Sequence, residues 1–491
     1  MALQQEDGSF ALKPFPMITT GVAGLDVTLG GGLPANSLYL IQGLAGSGKT
    51  TLACQIGFEH ARRGMKVLIL TLLAESHSKM LSHLRNFSFF DSRLIGSGIT
   101  LFSGYGALFK DGLQGLLMQI AEMLSAEKPG MLIIDGFRSV RTSAASDLAM
   151  TEFVHSLNSL VSSMGCTTFI LSPVEGNVTD TENTLVDGVI ELGQHAEGMR
   201  LVRELQVYKL RGTDHLLGKH VFELNNTGVV VYPRFEAVRT YHALPQHVST
   251  DYLSTGIASW DIRIGGGVPK GSTTCLLGSP GVGKTIMGLH FINDGLSKGE
   301  KCLIVGFHES PPVLRFKADR VNLAIGEAID DGRLEILWQV PLELSVDDLA
   351  TRMFANIKAR GVTRVFLDDL EGLTSLVMHP EREKSFLLAL TSELRALGVT
   401  SFFSEQLHYF KNAAPAAQPS SSSLYENVTL LEFVEHKSVN HRQISVLKLR
   451  QSKYDGTIRI MTITANGIAV GRSVETLTNP PAESDQDTGA T

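Results

Sequence analysis

The stretch GLAGSGKT spans residues 43–50, and a second stretch, GSPGVGKT, spans residues 278–285. Both fit the pattern of glycine, four residues and then glycine-lysine-threonine, in which backbone N–H groups cradle phosphates and a lysine meets their charge. Each stretch follows a short apolar segment typical of a strand and opens a helical segment. The sequence therefore predicts two nucleotide-binding sites, against the alternative of two glycine-rich turns without a ligand.

The repeat extends beyond the two loops. Residues 19–50 align without a gap with residues 254–285, at a constant spacing of 235 residues, and 14 of the 32 positions are identical. Each half then continues with a second strand, a helical stretch, an apolar strand ending in an acid, and a β-rich region. Alternating strands and helices predict an α/β fold, in which each of two tandem domains has a mostly parallel central sheet, helices on both faces and antiparallel C-terminal strands.

Length and composition agree with a duplicated globular protein. A chain of 491 residues has room for two domains of about 200 residues each. We predict an N-terminal tail (1–16), a first domain (17–240), a linker (241–252), a second domain (253–473) and a disordered acidic tail (474–491). The four scattered cysteines are expected to be reduced core residues.

The same properties bear on partners and location. The longest apolar runs are far shorter than a membrane span, and the N-terminus does not resemble a secretory signal. We therefore expect a cytoplasmic protein without a membrane partner. The formal net charge of −7 does not favour DNA as a partner, because binding to a nucleic-acid backbone depends on clustered lysine and arginine.

Asp135 and Asp368 end the apolar stretches MLIID and RVFLD, where an open sheet presents its carboxyl edge to a ligand. With the hydroxyls of Thr50 and Thr285 they are predicted to hold Mg²⁺; a helix cap is the alternative for each acid. The cofactors predicted are ATP and Mg²⁺. The predicted nucleotide contacts of the two loops are Gly43, Gly46, Ser47, Gly48, Lys49, Thr50 and Thr51 in the first half, and Gly278, Gly281, Val282, Gly283, Lys284, Thr285 and Ile286 in the second.

These features together resemble those of the RecA-like ATPases, and specifically of the tandem-domain KaiC family of the cyanobacterial circadian clock. The similarity covers about residues 17–472. Besides the two loops, it rests on TGVAGLDVTLGGGLP and TGIASWDIRIGGGVP before the loops and on KLRGTDH at residues 209–215. The resemblance implies two tandem RecA-like P-loop NTPase domains and a homohexameric ring with ATP between neighbouring subunits.

The resemblance also implies interface residues. Lys209 and Arg211, and in the second half Lys448 and Arg450, match the family positions that reach the phosphate of the adjacent subunit's nucleotide. Thr213 and His215 match positions on the sugar and base side. Cations placed across an interface stabilise the charge that develops on leaving phosphates. Without the resemblance, a solvated basic strand edge is the alternative.

The family pattern breaks at the water-activating position. Family members carry two adjacent glutamates after the second strand, whereas LLAES and GFHES place Ala74 and His308 at the first position and leave Glu75 and Glu309 at the second. Neighbouring strand residues point to opposite faces, so the second glutamate is not an automatic substitute. Because a histidine can accept a proton and an alanine cannot, we expect the first half to be an ATP-clamped assembly platform and the second half a chemical site.

A phosphorylation site is also implied by the resemblance. KaiC proteins transfer phosphate to a neighbouring Ser/Thr pair before a strand of the second half, and the stretch SSSSLYENVTLLEFVE (420–435) places Ser422 and Ser423 there. A run of four serines is also what flexible loops contain, and a flexible loop remains the alternative.

The functional hypothesis is a KaiC-like ATPase that forms ATP-dependent homohexamers, hydrolyses ATP slowly and acts as a timing or signalling hub. A KaiB-like or other signalling protein would be its partner, and serine autophosphorylation in the second domain is part of the hypothesis. Two alternatives stay open. One is a RecA/RadA-like DNA-dependent ATPase, although FRSVRTSAAS (137–146) offers only Arg138 and Arg141 as pore-facing cations; the other is a non-hydrolysing ATP-dependent scaffold.

Overall fold

The repeated sequence forms two units, Met1–Val238 and Arg239–Thr491, in this computed structural model. The structure describes residues 3–6, 9–12, 16–72, 77–174, 181–238, 251–340, 345–407, 424–450 and 453–474. Most of the predicted linker (241–252) and nearly all of the predicted C-terminal tail (474–491) lie outside these ranges. The exact domain boundaries therefore stay predictions.

In the parallel part of its sheet, the first unit alternates strands with helices, and antiparallel strands follow. Its strands are β1 (Leu3–Glu6), β2 (Ser9–Leu12), β3 (Met17–Ile18), β4 (Leu33–Pro34), β5 (Leu38–Gly43), β6 (Val67–Thr71), β7 (Ile99–Ser103), β8 (Met131–Asp135), β9 (Thr167–Ser172), β10 (Gly188–Glu197), β11 (Arg200–Leu210), β12 (Lys219–Asn225) and β13 (Gly228–Tyr232). Its helices are α1 (Leu25–Thr28), α2 (Lys49–Arg62), α3 (His77–Leu84), α4 (Tyr105–Glu127), α5 (Arg138–Ser143), α6 (Asp147–Ser163), α7 (Thr181–Leu185) and α8 (Phe235–Val238), with a 3-10 turn at Ser92–Leu94.

The second unit repeats this order. Its strands are β14 (Tyr252–Leu253), β15 (Val268–Pro269), β16 (Thr273–Gly278), β17 (Cys302–Gly306), β18 (Leu334–Trp338), β19 (Arg364–Asp368), β20 (Thr400–Gln406), β21 (Asn427–His436), β22 (Val439–Leu449), β23 (Arg459–Thr464) and β24 (Gly467–Ser473). Its helices are α9 (Ala258–Asp261), α10 (Lys284–Ser297), α11 (Pro311–Asp319), α12 (Ile325–Asp330), α13 (Val346–Arg360), α14 (Leu370–Thr374) and α15 (Glu383–Ala396), with 3-10 turns at Ile262–Ile264 and Pro380–Arg382.

Both units contain a nine-stranded sheet with the same topology. The strand order is β13-β12-β11-β10-β5-β9-β8-β6-β7 in the first unit and β24-β23-β22-β21-β16-β20-β19-β17-β18 in the second. The six strands from β10 to β7, and from β21 to β18, are parallel. The remaining strands form an antiparallel meander at one edge. The predicted fold class is confirmed.

Apolar residues on both faces hold the first sheet between helices. In β5, Tyr39 and Ile41 belong to the core that contains residues of α2, whereas Leu38 and Leu40 belong to the core that contains residues of α4 and α6. All four side chains are buried. Successive strand residues point to opposite faces, so a strand that is apolar at every position is buried on both sides. The buried strand β5 therefore fixes the position at which the phosphate loop begins.

The topology brings the two predicted halves of each nucleotide site to one edge. β9 lies between β5 and β8, and β20 lies between β16 and β19. Because these strands are parallel, the loop after β5 and the acid that ends β8 meet at the same carboxyl edge, as do their counterparts in the second unit. That edge is where open α/β sheets bind ligands.

Candidate nucleotide-binding sites

Glycines shape both phosphate loops. Gly48 (φ 102°) and Gly283 (φ 117°) are in the left-handed region at the N-terminal caps of α2 and α10. Gly46 and Gly281 are also left-handed, with φ of 78° and 74°. Such backbone angles favour glycine. They turn each strand directly into a helix whose first N–H groups face the loop, which is the arrangement that binds phosphate.

The lysine of each loop folds back over its own backbone. Lys49 Nζ donates hydrogen bonds to the carbonyls of Gly43 (2.7 Å) and Leu44 (2.9 Å). Lys284 Nζ donates in the same way to Gly278 (2.7 Å) and Ser279 (3.1 Å). Partial burial lowers the pKa of both lysines, and nearby carboxylates oppose that shift. Each ammonium group is therefore held at the centre of its loop, where a phosphate would meet it.

A hydroxyl and a carboxylate form the other part of each site. Thr50 Oγ1 donates a 2.8 Å hydrogen bond to Asp135 Oδ2. In the second unit, Asp368 accepts hydrogen bonds from Thr285 and from Ser404, the latter at 2.6 Å. Burial raises the pKa of Asp368, while these two hydrogen bonds lower it. Hydroxyl and carboxylate oxygens are the ligands that Mg²⁺ prefers, so the residues present fit the metal.

The remaining loop residues of the first site are more polar than their equivalents in the second site. Ser47 is fully buried, and its Oγ has no hydrogen-bond partner among the described residues, whereas the equivalent Val282 is buried in the apolar core. Thr51 is half-buried and lines a cavity beside the first site. Ile286 packs against the second core. The two sites thus share their phosphate-binding parts but differ in the side chains beneath the loop.

The cavity beside the first site was not anticipated from the sequence. Its volume is about 230 Å³, and it is lined by Thr50, Thr51, Thr71, His77, Met80, His83, Leu84, Phe87 and Asp135. Thr71 Oγ1 and His77 Nε2 share a hydrogen bond of 2.8 Å. The available signal was a polar residue, Thr71, at the end of the apolar strand β6, which lies at the ligand edge of the sheet. The cavity places a histidine and a threonine next to the predicted metal pair.

A family model described as "ATPase: KaiC" matches residues 18–236 and 253–475. The chain belongs to the KaiC ATPase family. The predicted resemblance is thereby confirmed, and nucleotide binding and ATPase activity in the broad sense go with the family. In the described part of the chain, no helix is long and apolar enough to span a membrane.

The curated relatives match almost the whole chain at low identity. The "Circadian clock oscillator protein KaiC" of Picosynechococcus sp. is 25% identical over 473 residues, which is 94% of this chain and 90% of the relative. That of Thermosynechococcus vestitus is 26% identical over 478 residues, 95% of this chain and 90% of the relative. The "Circadian clock protein KaiC3" of Synechocystis sp. is 25% identical over 489 residues, 97% of this chain and 94% of the relative.

The motif that precedes each loop in this KaiC family member is structural. Asp26 accepts hydrogen bonds from the backbone and hydroxyl of Thr20 (2.7 and 2.8 Å), and Asp261 does the same for Thr255 (2.9 and 2.7 Å). In the glycine run, a Cβ at Gly30 would lie 2.4 Å from the carbonyl oxygen of Asp214. The TG…D…GGG sequence therefore supports the loop that carries the predicted base-side residues.

Thr213 and His215 lie on that loop. The hydroxyl oxygen of Thr213 and both ring nitrogens of His215 are buried and have no hydrogen-bond partner among the described residues. Buried polar atoms are nearly always satisfied in native proteins. The role of these two residues on the sugar and base side of a nucleotide stays a prediction.

The family interface residues differ in how far their own subunit engages them. Lys209 Nζ donates to three carbonyls at the end of α7, those of Asn183 (3.2 Å), Thr184 (2.9 Å) and Val186 (2.7 Å). Arg211 is more open: its side chain is 58% exposed and its Nη1 lies 3.4 Å from Asp187 Oδ1. The guanidinium, rather than the ammonium, is the group left to reach outward.

The second unit repeats this contrast. Lys448 Nζ donates to the carbonyl of Tyr425 at 2.6 Å, and Arg450 is exposed. Each lysine directly follows a β-bulge in its own strand and pairs with Val189 in the first sheet and Val428 in the second. A bulge re-aims the neighbouring side chains, and its repetition shows that the same geometry is built twice.

At the predicted water-activating positions, the structure describes the residues of the second half only. Ala74 and Glu75 lie outside the described residues. His308 is 65% exposed, and its Nε2 is 3.5 Å from Asp369 Oδ2. Glu309 forms an ion pair with Lys317, a residue that the sequence analysis did not single out. The structure therefore places His308 towards solvent and Glu309 towards the inside.

Backbone hydrogen bonds align the two halves just after the second strand of each parallel sheet. Leu72 and Phe307 are equivalent, since their N–H groups donate to the carbonyls of Asp135 and Asp368 at 2.9 and 3.2 Å. Counted from these residues, His308 corresponds to Leu73. The predicted pairing of Ala74 with His308 therefore requires one additional residue in the first half.

The predicted phosphosites Ser422 and Ser423 lie outside the described residues.

Proposed function

We propose that this KaiC family member binds Mg·ATP at both phosphate loops, assembles into a homohexamer with nucleotide at the subunit interfaces, and hydrolyses ATP slowly. One observation carries the proposal: each unit contains a loop lysine held on the loop carbonyls and a threonine hydroxyl beside a strand-end aspartate.

The chain's own residues have separate tasks in this proposal. Lys49 and Lys284 bind the β- and γ-phosphates, and the Thr50–Asp135 and Thr285–Asp368 pairs hold Mg²⁺. Bound Mg²⁺ neutralises charge on the β- and γ-phosphates. Arg211 and Arg450 extend to the nucleotide of the neighbouring subunit and stabilise the charge that develops there.

The biological role is proposed at a coarser level. Relatives that carry circadian-clock names cover most of this chain, which supports a timing or signalling hub with a KaiB-like or other signalling protein as partner. Transfer of phosphate to Ser422 or Ser423 is part of this proposal. A cytoplasmic location is proposed from the same relatives and from the composition.

A second candidate is an ATP-dependent scaffold that does not hydrolyse ATP. It is favoured by the alanine at position 74 and by the solvent-facing side chain of His308. The scaffold shares the binding and assembly steps with the leading proposal. Only turnover and phosphorylation separate the two.

The test is native mass spectrometry of the full chain with and without Mg·ATP, followed by phosphate release and intact mass. The double variant Lys49→Ala/Lys284→Ala is expected to stay unassembled. The matched control is Lys66→Ala/Lys301→Ala, which changes the exposed lysine before the second strand of each half. Assembly with turnover but without added mass removes the autokinase, and assembly without turnover supports the scaffold. A wild-type chain that stays monomeric and empty in Mg·ATP refutes the proposal.

A further inference from the structure

The carboxylate of Glu309 is held by one oxygen only. Glu309 lies in the turn between β17 and α11, and its Oε1 pairs with the ammonium group of Lys317. Its Oε2 is buried and has no hydrogen-bond partner among the described residues. A buried carboxylate oxygen without a donor is costly, so a donor from outside this set is expected to occupy that position.

Glu309 lies two residues after Phe307, whose N–H donates to the carbonyl oxygen of Asp368, a member of the predicted metal pair of the second site, at 3.2 Å. The charge of Glu309 is one of the groups that raise the pKa of Asp368, which shows that the two carboxylates are close enough to interact. His308 is in a different environment, because it is mostly exposed and faces Asp369. Of the two residues that could accept a proton in this site, Glu309 has the buried, unsatisfied acceptor.

Lys317 is placed to maintain this orientation. It lies near the end of α11, a helix that starts with Pro311 and Pro312 after the N-cap Ser310, and it reaches back eight residues to Glu309. Proline at the first helical positions pre-sets the backbone angle, so the turn that carries Glu309 has little freedom. The ion pair holds Oε1 and leaves the buried Oε2 as the carboxylate oxygen that can accept from another group.

We infer that Lys317 is a positioning residue that orients Glu309 Oε2 to accept the proton of the attacking water in the second site. This inference rests on the proposed function. In the step, the water oxygen forms a bond to the γ-phosphorus while the bond from that phosphorus to the β,γ-bridging oxygen breaks. The water proton passes to Glu309 Oε2, and the products are ADP and inorganic phosphate.

The experiment isolates the second site in the full-length chain. Asp135→Asn removes the predicted metal carboxylate of the first site and leaves both phosphate loops intact, so phosphate release then reports on the second site. The Asp135→Asn chain is the parent for the following variants. In this parent, Glu309→Gln is expected to lower kcat by about 100-fold or more, as removal of a general base does. Lys317→Ala is expected to lower kcat by about 10-fold with ATP affinity unchanged, because only the orientation of the base is lost.

Two controls separate positioning from a structural role. Lys317→Arg keeps the ion pair and is expected to restore kcat, whereas Lys317→Met keeps the aliphatic stem without the charge and is expected to match Lys317→Ala. His308→Ala is expected to lower kcat by less than Glu309→Gln does, because an exposed side chain contributes less to an enclosed site. Fluorescence of the buried Trp260 verifies that each variant is folded.

Each outcome decides the inference. Parent-like kcat in Lys317→Ala and Lys317→Met, or a loss in His308→Ala equal to that in Glu309→Gln, overturns it. A parent that binds ATP without turnover also overturns it while leaving nucleotide binding intact. A parent and wild type that bind no ATP refute the proposed function itself, and equilibrium binding of a fluorescent ATP analogue recognises that case.

Discussion

Gln55 and His290 occupy the same position on equivalent helices, and each accepts a hydrogen bond from the last strand of its own sheet. Val229 N donates to Gln55 Oε1 at 2.7 Å, and Ile468 N donates to His290 Nε2 at 3.1 Å. The duplication has therefore kept one structural bond while replacing a side chain that does not titrate by one that does. The two halves are consequently expected to respond differently to acid.

Acid is expected to destabilise the second unit through His290. Burial lowers the pKa of this histidine below its ordinary value of 6.5, against a hydrogen bond to the backbone of Gly256. The unfolded chain then binds more protons than the folded one below pH 6.5. The stability contributed by neutral His290 is thus complete above pH 6.5 and is lost as the pH falls below it, with a limiting slope of about 1.4 kcal/mol per pH unit.

His290→Gln, which installs the residue of the first half, is expected to remove this slope. Both tryptophans, Trp260 and Trp338, lie in the second unit, so their fluorescence in urea unfolding reports on that unit alone. Buried His60 in the first unit, whose pKa is also lowered mainly by burial, does not contribute to that signal. Identical slopes between pH 5 and pH 7 for wild type and variant would contradict the assignment.

The two loop lysines are expected to act independently in nucleotide binding. Lys49→Ala and Lys284→Ala should each lower the number of bound ATP molecules per chain from two to one, because each removes the cation held over one loop. Titration with a fluorescent ATP analogue measures the stoichiometry. The control Lys66→Ala/Lys301→Ala should retain two. A single loop variant that still binds two nucleotides would show that its lysine is not the phosphate contact.

The features repeated in sequence were predictable, because they depend on local pattern. The apolar stretch at 37–42 predicted β5 to within one residue at each end, and the strand MLIID is β8 as predicted. The acids that end β8 and β19 meet the loop threonines because parallel strands align at one edge. Contacts between residues that are far apart in the chain have no local sequence pattern, so they could not be predicted.

Arg364 shows what the sequence could not reveal. It begins the strand RVFLD, where a charged residue is typical of an exposed strand end, yet its side chain is fully buried. Its guanidinium pairs with Glu300 and Asp294 and donates to the carbonyls of Ser254 and Phe291. A buried charge is tolerated only when several partners converge on it. The partner of Lys317 was not predictable either, because its ion pair with Glu309 depends on the fold of the turn before α11.

Ser404 is expected to tune the metal requirement of the second site. Its hydroxyl donates to Asp368 Oδ1 at 2.6 Å and helps to lower the pKa of that buried carboxyl, whereas the equivalent residue of the first half is Leu171. Ser404→Ala should raise the Mg²⁺ concentration needed for half-maximal second-site turnover by about 2- to 10-fold, since a net hydrogen bond of about 0.5–1.5 kcal/mol is lost.

The matched control for this variant is Ser401→Ala. Ser401 lies on the same strand, but its hydroxyl donates to Thr273 Oγ1 at the end of the strand remote from the site. It should leave the Mg²⁺ dependence unchanged. Titration in the Asp135→Asn chain keeps the first site from contributing. Equal Mg²⁺ dependence in both serine variants would separate Ser404 from the metal site.

Arg211 is expected to act on the nucleotide of a neighbouring subunit. Its side chain is 58% exposed, while Lys209 beside it is occupied by three carbonyls of its own chain. In chains carrying Asp368→Asn, which limits turnover to the first site, Arg211→Ala and Lys49→Ala should each lower phosphate release by about 10-fold or more. Each variant lacks a different part of the shared site.

Mixing these two variants distinguishes action in trans from action in cis. In a ring of head-to-tail interfaces, an intact loop from an Arg211→Ala subunit can meet Arg211 from a Lys49→Ala neighbour, and equal mixing should restore about a quarter of first-site turnover. A mixture of Arg211→Ala with the double variant Lys49→Ala/Arg211→Ala should stay inactive, because no interface then holds both parts. Recovery in neither mixture, with assembly verified by native mass, would place the action of Arg211 within its own subunit.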